Sequence, residues 1–212
     1  MEYKYIFFDF DGTLVNTVEG TAASAKYALD QFKVNTDNID DLGRIFCGPP
    51  LRESFSKFDL SEEDIKSAIT VYKKYQAENT IELSKIYDGI KELLENLKNL
   101  GKSLNVVTLK SKETTINILK YLDIYKYFDN VIGMCDEFPN QNKKEMLKYV
   151  TDRIDSDKAI MIGDRKSDIE AGNYCKIDTL AVLYGMDSYD TLSTANPTFF
   201  ADSSNEIFEI IK

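Results

Sequence analysis

The sequence predicts an α/β fold, a mainly parallel sheet interrupted after its first strand by an inserted helical cap. Three observations carry this. From residue 85 onward, short apolar runs alternate with segments of helical periodicity, the pattern of βαβ units. The stretch 15–84 shows helical spacing without a convincing strand. The composition, 43% hydrophobic and 29% charged over 212 residues, is that of a globular chain long enough for one core and a modest insertion.

The elements follow in order. Tyr5-Ile6-Phe7-Phe8 is a short apolar run that reads as a buried strand ending in acid. Ala25, Ala28, Leu29 and Phe32 form one helical stripe. Ser61-Glu62-Glu63-Asp64 resembles a capping box, and Ile65, Ala68, Ile69, Tyr72 and Gln76 continue that helix. Ile90, Leu93, Leu94, Leu97 and Leu100 hold helical spacing, and Gly101 stands where a C-terminal cap belongs. Then come a strand at 104–107, a helix carrying Thr115, Ile118, Leu119 and Leu122, and a strand around Val131-Ile132. A helix over about 143–154, a strand at 159–162, a helix after Arg165 and a strand at 180–183 complete the readable pattern. The expected organisation is a Rossmann-like core, 1–14 and 85–212, with a helical cap domain at 15–84.

Charge and composition remove several classes of function. The formal net charge is -10, whereas nucleic-acid surfaces and polybasic membrane anchors need clustered positive charge. The chain has no His, which excludes a Ser-His-Asp triad and His-ligated zinc. Cys47, Cys135 and Cys175 form no CxxC pair and read as reduced thiols. Asp9 interrupts the N-terminal segment before a signal-peptide core develops, and the apolar run 180–186 is far below a membrane span. A cytoplasmic protein is expected, monomeric or a homodimer, with neither nucleic acid nor membrane as partner.

The residues that suggest chemistry are acids at strand ends. Asp9-Phe10-Asp11-Gly12-Thr13 places two carboxylates two residues apart where the first strand stops, and the strand period points them the same way. In open α/β sheets, sites lie beyond the carboxyl ends of strands. Gly12 permits a turn that a side chain would forbid. Alone, such a pair reads better as a solvated turn with N-capping acids. Ile160-Met161-Ile162-Gly163-Asp164 repeats the design, with Asp168 four residues on. Adjacent parallel strands would bring Asp9 and Asp164 together. Two like charges 4 Å apart repel by about 4 kcal/mol at an effective dielectric of 20, so such a cluster calls for a cation. Mg²⁺ fits, since it takes one or two carboxylates plus a substrate phosphate. Thr108, at the end of a third strand, is either a phosphate-binding hydroxyl or a helix cap. Asn142-Lys143-Lys144 begins a helix, and only one of its two lysines can face the site.

DFDGT at 9–13, Thr108 after an apolar strand, the Lys at 143 and GDRKSD at 163–168 match, in order, the four motifs of the haloacid dehalogenase-like phosphohydrolases. The chain resembles their helical-cap subclass over nearly its whole length. Gly48-Pro49-Pro50-Leu51-Arg52 and Leu183-Tyr184-Gly185 are similar to the phosphoglycolate phosphatase and 5′-nucleotidase-like branch. The resemblance implies that Asp9 is a nucleophile forming an aspartyl-phosphate. It makes Asp11 the general acid and then the base, Thr108 a ligand of the transferring phosphoryl group, and Lys143 its counter-charge. Lys143 is preferred to Lys144 because Asn-Lys-x-Glu resembles the pattern of this branch. Mg²⁺ would be held by Asp9, Asp164 and the Asp11 carbonyl, with Asp168 anchoring the Lys or a metal water. Gly12 and Lys110 would contact substrate.

Two positions depart from the family pattern: Lys144 stands where Pro is common, and Leu109 where a small polar residue is commoner. Asp11 argues for phosphate rather than C–halogen substrates, because dehalogenases lack an acid there. The expected activity is Mg²⁺-dependent hydrolysis of a small phosphorylated metabolite, phosphoglycolate first and nucleoside monophosphates second. Arg52, and less so Arg44 and Lys57, are the cap candidates for substrate selection. A receiver-type phospho-accepting switch is the non-enzyme alternative.

Overall fold

A computed structural model describes residues 2–37, 41–135 and 142–212. The chain divides into two compact units, one of 1–15 and 86–212 and one of 16–85. Both crossings between them run through a two-stranded pair.

The first unit opens with β1 (Tyr5–Phe8), which leads into the crossing strand β2 (Val15–Asn16). The second unit holds α1 (Val18–Gln31), α2 (Leu42–Phe46), α3 (Leu51–Phe55) and α4 (Glu62–Asn79). The Ser61 hydroxyl accepts from the Asp64 amide and caps α4, so the Ser-x-x-Asp pattern starts the helix where the sequence places it. The predicted stripes form this unit's core: Ala25, Ala28 and Leu29 of α1 meet Ile65, Ala68 and Tyr72 of α4 around Phe46 and Phe55.

The return strand is β3 (Lys85–Ile86). The first unit then continues with α5 (Ile90–Asn99), β4 (Ser103–Ser111), α6 (Lys112–Tyr121), β5 (Asn130–Met134), α7 (Lys143–Thr151) and β6 (Ala159–Gly163). It ends with α8 (Lys166–Tyr174), β7 (Asp178–Val182), α9 (Tyr189–Ser193), β8 (Phe199–Ala201) and α10 (Ser204–Ile211). The six-stranded sheet has the order β5-β4-β1-β6-β7-β8, and every pairing in it is parallel. Phe7, Val107, Ile132 and Met161 project from one face against Met146 and Leu147 of α7 and Ala171 of α8.

Three features go beyond the sequence reading. The sheet gains the edge strand β8 and the closing helix α10, which the pattern 180–183 did not announce. The expected helix 143–154 stops at Thr151. The strand expected at 104–107 runs on to Ser111, with a register irregularity against β5 between Val107 and Ser111. Gly133 makes that extension possible: a Cβ there would lie 2.7 Å from the Lys112 Cα and 2.9 Å from the Lys110 carbonyl oxygen. Thr108 and Lys110 are therefore strand residues, and Ser111 is the residue that precedes α6.

Candidate active site

The strand order explains the site. β1 lies between β4 and β6, so the residues leaving the carboxyl ends of these three strands become neighbours. Asp9 continues the ladder for one residue, its amide donating to the Ile162 carbonyl at 2.8 Å. Phe8 and Ile162 are register partners, which sets Asp9 beside Gly163 and Asp164. The Phe10 amide then donates to Asp9 Oδ1 at 2.7 Å.

Lys143, the first residue of α7, is buried and joins two acids. Its Nζ lies 2.8 Å from Asp9 Oδ1 and 2.5 Å from Asp168 Oδ1. Lys144 turns away, pairing at 3.4 Å with the partly exposed Glu170. Successive helical residues cannot share a face, so one lysine enters the site and the other leaves it. Asp168 also accepts from the Arg165 amide at 2.9 Å and so closes the first turn of α8.

Asp164 is fully buried. Its Oδ1 accepts from the Thr13 hydroxyl at 2.7 Å and its Oδ2 from the Met186 amide at 2.9 Å. Gly12, at φ 87°, leaves room for this carboxylate, because a Cβ there would come 2.2 Å from Asp164 Oδ2.

Asp11 takes a different partner from Asp9, although the two are only two residues apart. Lys110 Nζ lies 3.0 and 3.3 Å from its two oxygens, and both side chains are over nine-tenths buried. Lys110, expected at the substrate, is thus engaged by a carboxylate of the site. Its amide donates to the Thr108 hydroxyl at 3.1 Å. Of the other predicted residues, Arg52 belongs to the 16–85 unit, where its exposed guanidinium pairs with Glu62. Arg44 pairs with Asp41 at 3.1 Å in the same unit.

The electrostatics follow from burial without enough positive charge. Desolvation, reinforced by Asp168, raises the Asp9 carboxyl to about 7 against the pull of Lys143. Desolvation and the charges of Asp9 and Asp168 raise Asp164 to about 8. The Lys143 ammonium is destabilised by burial, but Asp168 and Asp9 more than reverse that and hold it firmly protonated. Asp9, Asp164 and Asp168 each offer a carboxylate oxygen within 4.8 Å of the others. Three buried oxygen donors outnumber the one ammonium between them, and this set fits a hard divalent cation.

Sequence reasoning missed three contributors. Thr13 lay inside a motif read for its acids and for Gly12. Tyr184, whose hydroxyl donates to the Thr13 carbonyl at 2.9 Å, and Asp187, which accepts from the Lys166 amide at 2.8 Å, reach the site from the loop after β7. The signal for Tyr184 was present in Leu183-Tyr184-Gly185, whereas Asp187 carried none.

A parallel α/β sheet with acids and a buried lysine at the carboxyl end of its central strands places this chain among proteins whose site is built from strand-end carboxylates. Residues 6–182 match the haloacid dehalogenase-like hydrolase family, and the chain belongs to that family. It is therefore an enzyme, and the receiver-type alternative falls. Among relatives, a pyrophosphatase PpaX of Bacillus velezensis is 31% identical over 207 residues, covering 97% of this chain and 94% of the relative. A crystal structure from Clostridium acetobutylicum, described as a predicted phosphatase, superposes with a TM-score of 0.92 at 34% identity, over 100% of this chain and 99% of the other. A haloacid dehalogenase-like hydrolase from Streptococcus pneumoniae gives 0.90 at 28% identity, over 99% of each chain. Among the described residues, no helix is long and apolar enough to cross a membrane.

Proposed function

We propose that the protein is a Mg²⁺-dependent phosphatase that acts on a small phosphorylated metabolite through an aspartyl-phosphate on Asp9. The observation that carries this is the buried Lys143 bridging Asp9 and Asp168, with Asp164 beside them. Dianionic phosphate repels a carboxylate nucleophile, so the site must supply positive charge before attack can occur. Lys143 supplies part of it. Asp9 and Asp164, with the Asp11 carbonyl, would hold Mg²⁺, which when bound contributes two further charges and polarises the phosphoryl oxygens.

In the first step an Asp9 oxygen forms a bond to phosphorus as the ester P–O bond breaks. The departing oxygen takes a proton from Asp11, which enters this step as the acid and leaves it as the carboxylate that the structure pairs with Lys110. In the second step a water oxygen attacks phosphorus and gives its proton to the Asp11 carboxylate. The Asp9–phosphorus bond breaks, and inorganic phosphate leaves with both carboxyls restored. Covalent catalysis thus divides one difficult hydrolysis into two easier steps. Thr108, buried beside Asp11's partner Lys110, is the hydroxyl proposed to bind the phosphoryl group.

Phosphoglycolate is the first substrate candidate, on the Arg52 and Leu183-Tyr184-Gly185 resemblances. Inorganic pyrophosphate is the second, favoured by the 31% identical relative that bears that activity in its name. Phosphate release from phosphoglycolate, pyrophosphate, nucleoside monophosphates and p-nitrophenyl phosphate, with Mg²⁺ and with chelator, tests the reading. It requires turnover of at least one substrate that chelator stops. Undiminished turnover in chelator, or no release from any of the four, overturns it.

A further inference from the structure

The Leu183-Tyr184-Gly185 segment has no part in the steps above, yet it closes around Asp164. That acid follows Gly163, where the backbone leaves β6, so its own strand does not fix the direction of its carboxylate. Two donors fix it instead, the Thr13 hydroxyl on Oδ1 and the Met186 amide on Oδ2. Both lie in connecting segments and both are anchored by other residues.

Thr13 is held by Tyr184, whose hydroxyl donates to the Thr13 carbonyl at 2.9 Å. Burial and the nearby Asp164 charge raise the Tyr184 phenol well above its ordinary value, so it remains a donor. Met186 is held by its neighbour Asp187. The Asp187 amide donates to the Asp164 carbonyl at 3.2 Å. Its Oδ2 accepts from the Lys166 amide at 2.8 Å and its Oδ1 lies 3.6 Å from the Arg165 guanidinium, which pins the loop to the start of α8. Gly185 makes the approach sterically possible, because a Cβ there would lie 2.1 Å from the Asp164 Cβ.

We infer that Tyr184 and Asp187 are positioning residues for the cation site: they aim the Asp164 carboxylate through Thr13 and Met186, and divalent-cation affinity depends on them. The inference rests on the proposal that Asp164 holds Mg²⁺. Each carboxylate oxygen spends one acceptor site on its fixed donor and keeps another for the cation. Groups that orient a metal ligand in this way typically govern affinity by roughly 10–100-fold.

The test is calorimetric titration of the full chain with Mg²⁺ in the absence of substrate, with thermal unfolding of the cation-free proteins run in parallel. Tyr184→Phe removes one oxygen, and Asp187→Ala removes the loop's anchor. Both should weaken Mg²⁺ binding by roughly 10–100-fold. Asp187→Asn keeps an oxygen to accept from the Lys166 amide and should recover most of the loss. A general loosening of the fold would lower the unfolding temperature without this recovery, and that result counts against the inference. Asp164→Asn separates the two levels. If it abolishes binding while Tyr184→Phe and Asp187→Ala stay within about twofold of the parent, the positioning role is wrong and the metal reading stands. If Asp164→Asn binds Mg²⁺ like the parent, both fall. Should Asp187→Ala not fold, Tyr184→Phe decides alone.

Discussion

In the helical unit the buried polar side chains named by the structure are neutral, among them Thr17, Thr21, Ser24, Ser54 and Gln76, whereas the sheet unit buries Asp9, Asp11, Lys102, Lys143, Asp164 and Asp168. The helical unit's ion pairs, such as Arg44–Asp41 and Arg52–Glu62, lie on its surface. Buried ionised groups cost folding free energy unless they are paired, and exposed pairs contribute only about 0–1 kcal/mol. The helical unit is arranged as a stable apolar core would be. The carboxyl edge of the sheet instead concentrates acids in excess of its lysines, an arrangement that stability alone does not favour and that fits the cation site proposed above.

The largest expected effect breaks this contrast at its centre. Asp9→Asn should abolish turnover, because an amide cannot form the acyl phosphate, and steady-state assays would show it. Residual activity near the parent level would remove Asp9 as nucleophile. Next comes Asp11→Asn. It should retain Mg²⁺ affinity, since a backbone carbonyl is the proposed ligand, and lose about 10²–10⁴-fold in kcat. Loss of cation affinity with surviving chemistry would reverse that assignment.

The third prediction concerns pH. The chain has no His, so the side-chain changes expected between pH 5 and 8 are those of the raised acids. Burial and the neighbouring acids hold the Asp9 and Asp164 carboxyls well above the ordinary carboxylate range in the folded protein. Above about pH 5 the unfolded chain has released protons that the folded one retains. Cation-free stability should therefore fall as pH rises from 5 to 8, followed by thermal unfolding, and Mg²⁺ should restore most at pH 8. A cation-free stability that rises across this window would contradict the unbalanced cluster.

The smallest effect belongs to the helical unit. Arg52→Ala should change stability by less than about 1 kcal/mol, as expected for an exposed pair. Its use in recognition is read separately. A rise in KM for phosphoglycolate with p-nitrophenyl phosphate unchanged would support it, and equal changes would leave Arg52 a surface cation.

Much of the site was legible because its residues lie on short apolar strands that end in Gly and Asp, and such strands announce both their burial and their exit point. Asp9 and Asp164 could be paired from that pattern on the condition that their strands are neighbours, which the strand order supplies. The choice between Lys143 and Lys144 needed the helix phase, which the sequence left to resemblance. The pairing of Lys110 with Asp11 was not legible, because the strand was expected to end at 107 and nothing in the sequence signals that it carries Lys110 on to Asp11. The continued strand passes close to Gly133, where a Cβ would lie 2.9 Å from the Lys110 carbonyl oxygen. Thr13, Tyr184 and Asp187 act across more than 20 residues of separation, and local periodicity carries no information about such contacts. β8 escaped notice because three residues are too few to show a period.

The central claim is that Asp9 accepts the phosphoryl group. Asp11→Asn should slow the second step as well as the first, which favours capture of the intermediate. Acid quenching of this variant during turnover with Mg²⁺ and substrate, followed by peptide mass spectrometry, should place one phosphoryl group on the peptide containing Asp9 and none on it in the Asp9→Asn protein. Sustained phosphate release from the parent, with no covalent phosphate on that peptide in either the parent or Asp11→Asn, would contradict the account.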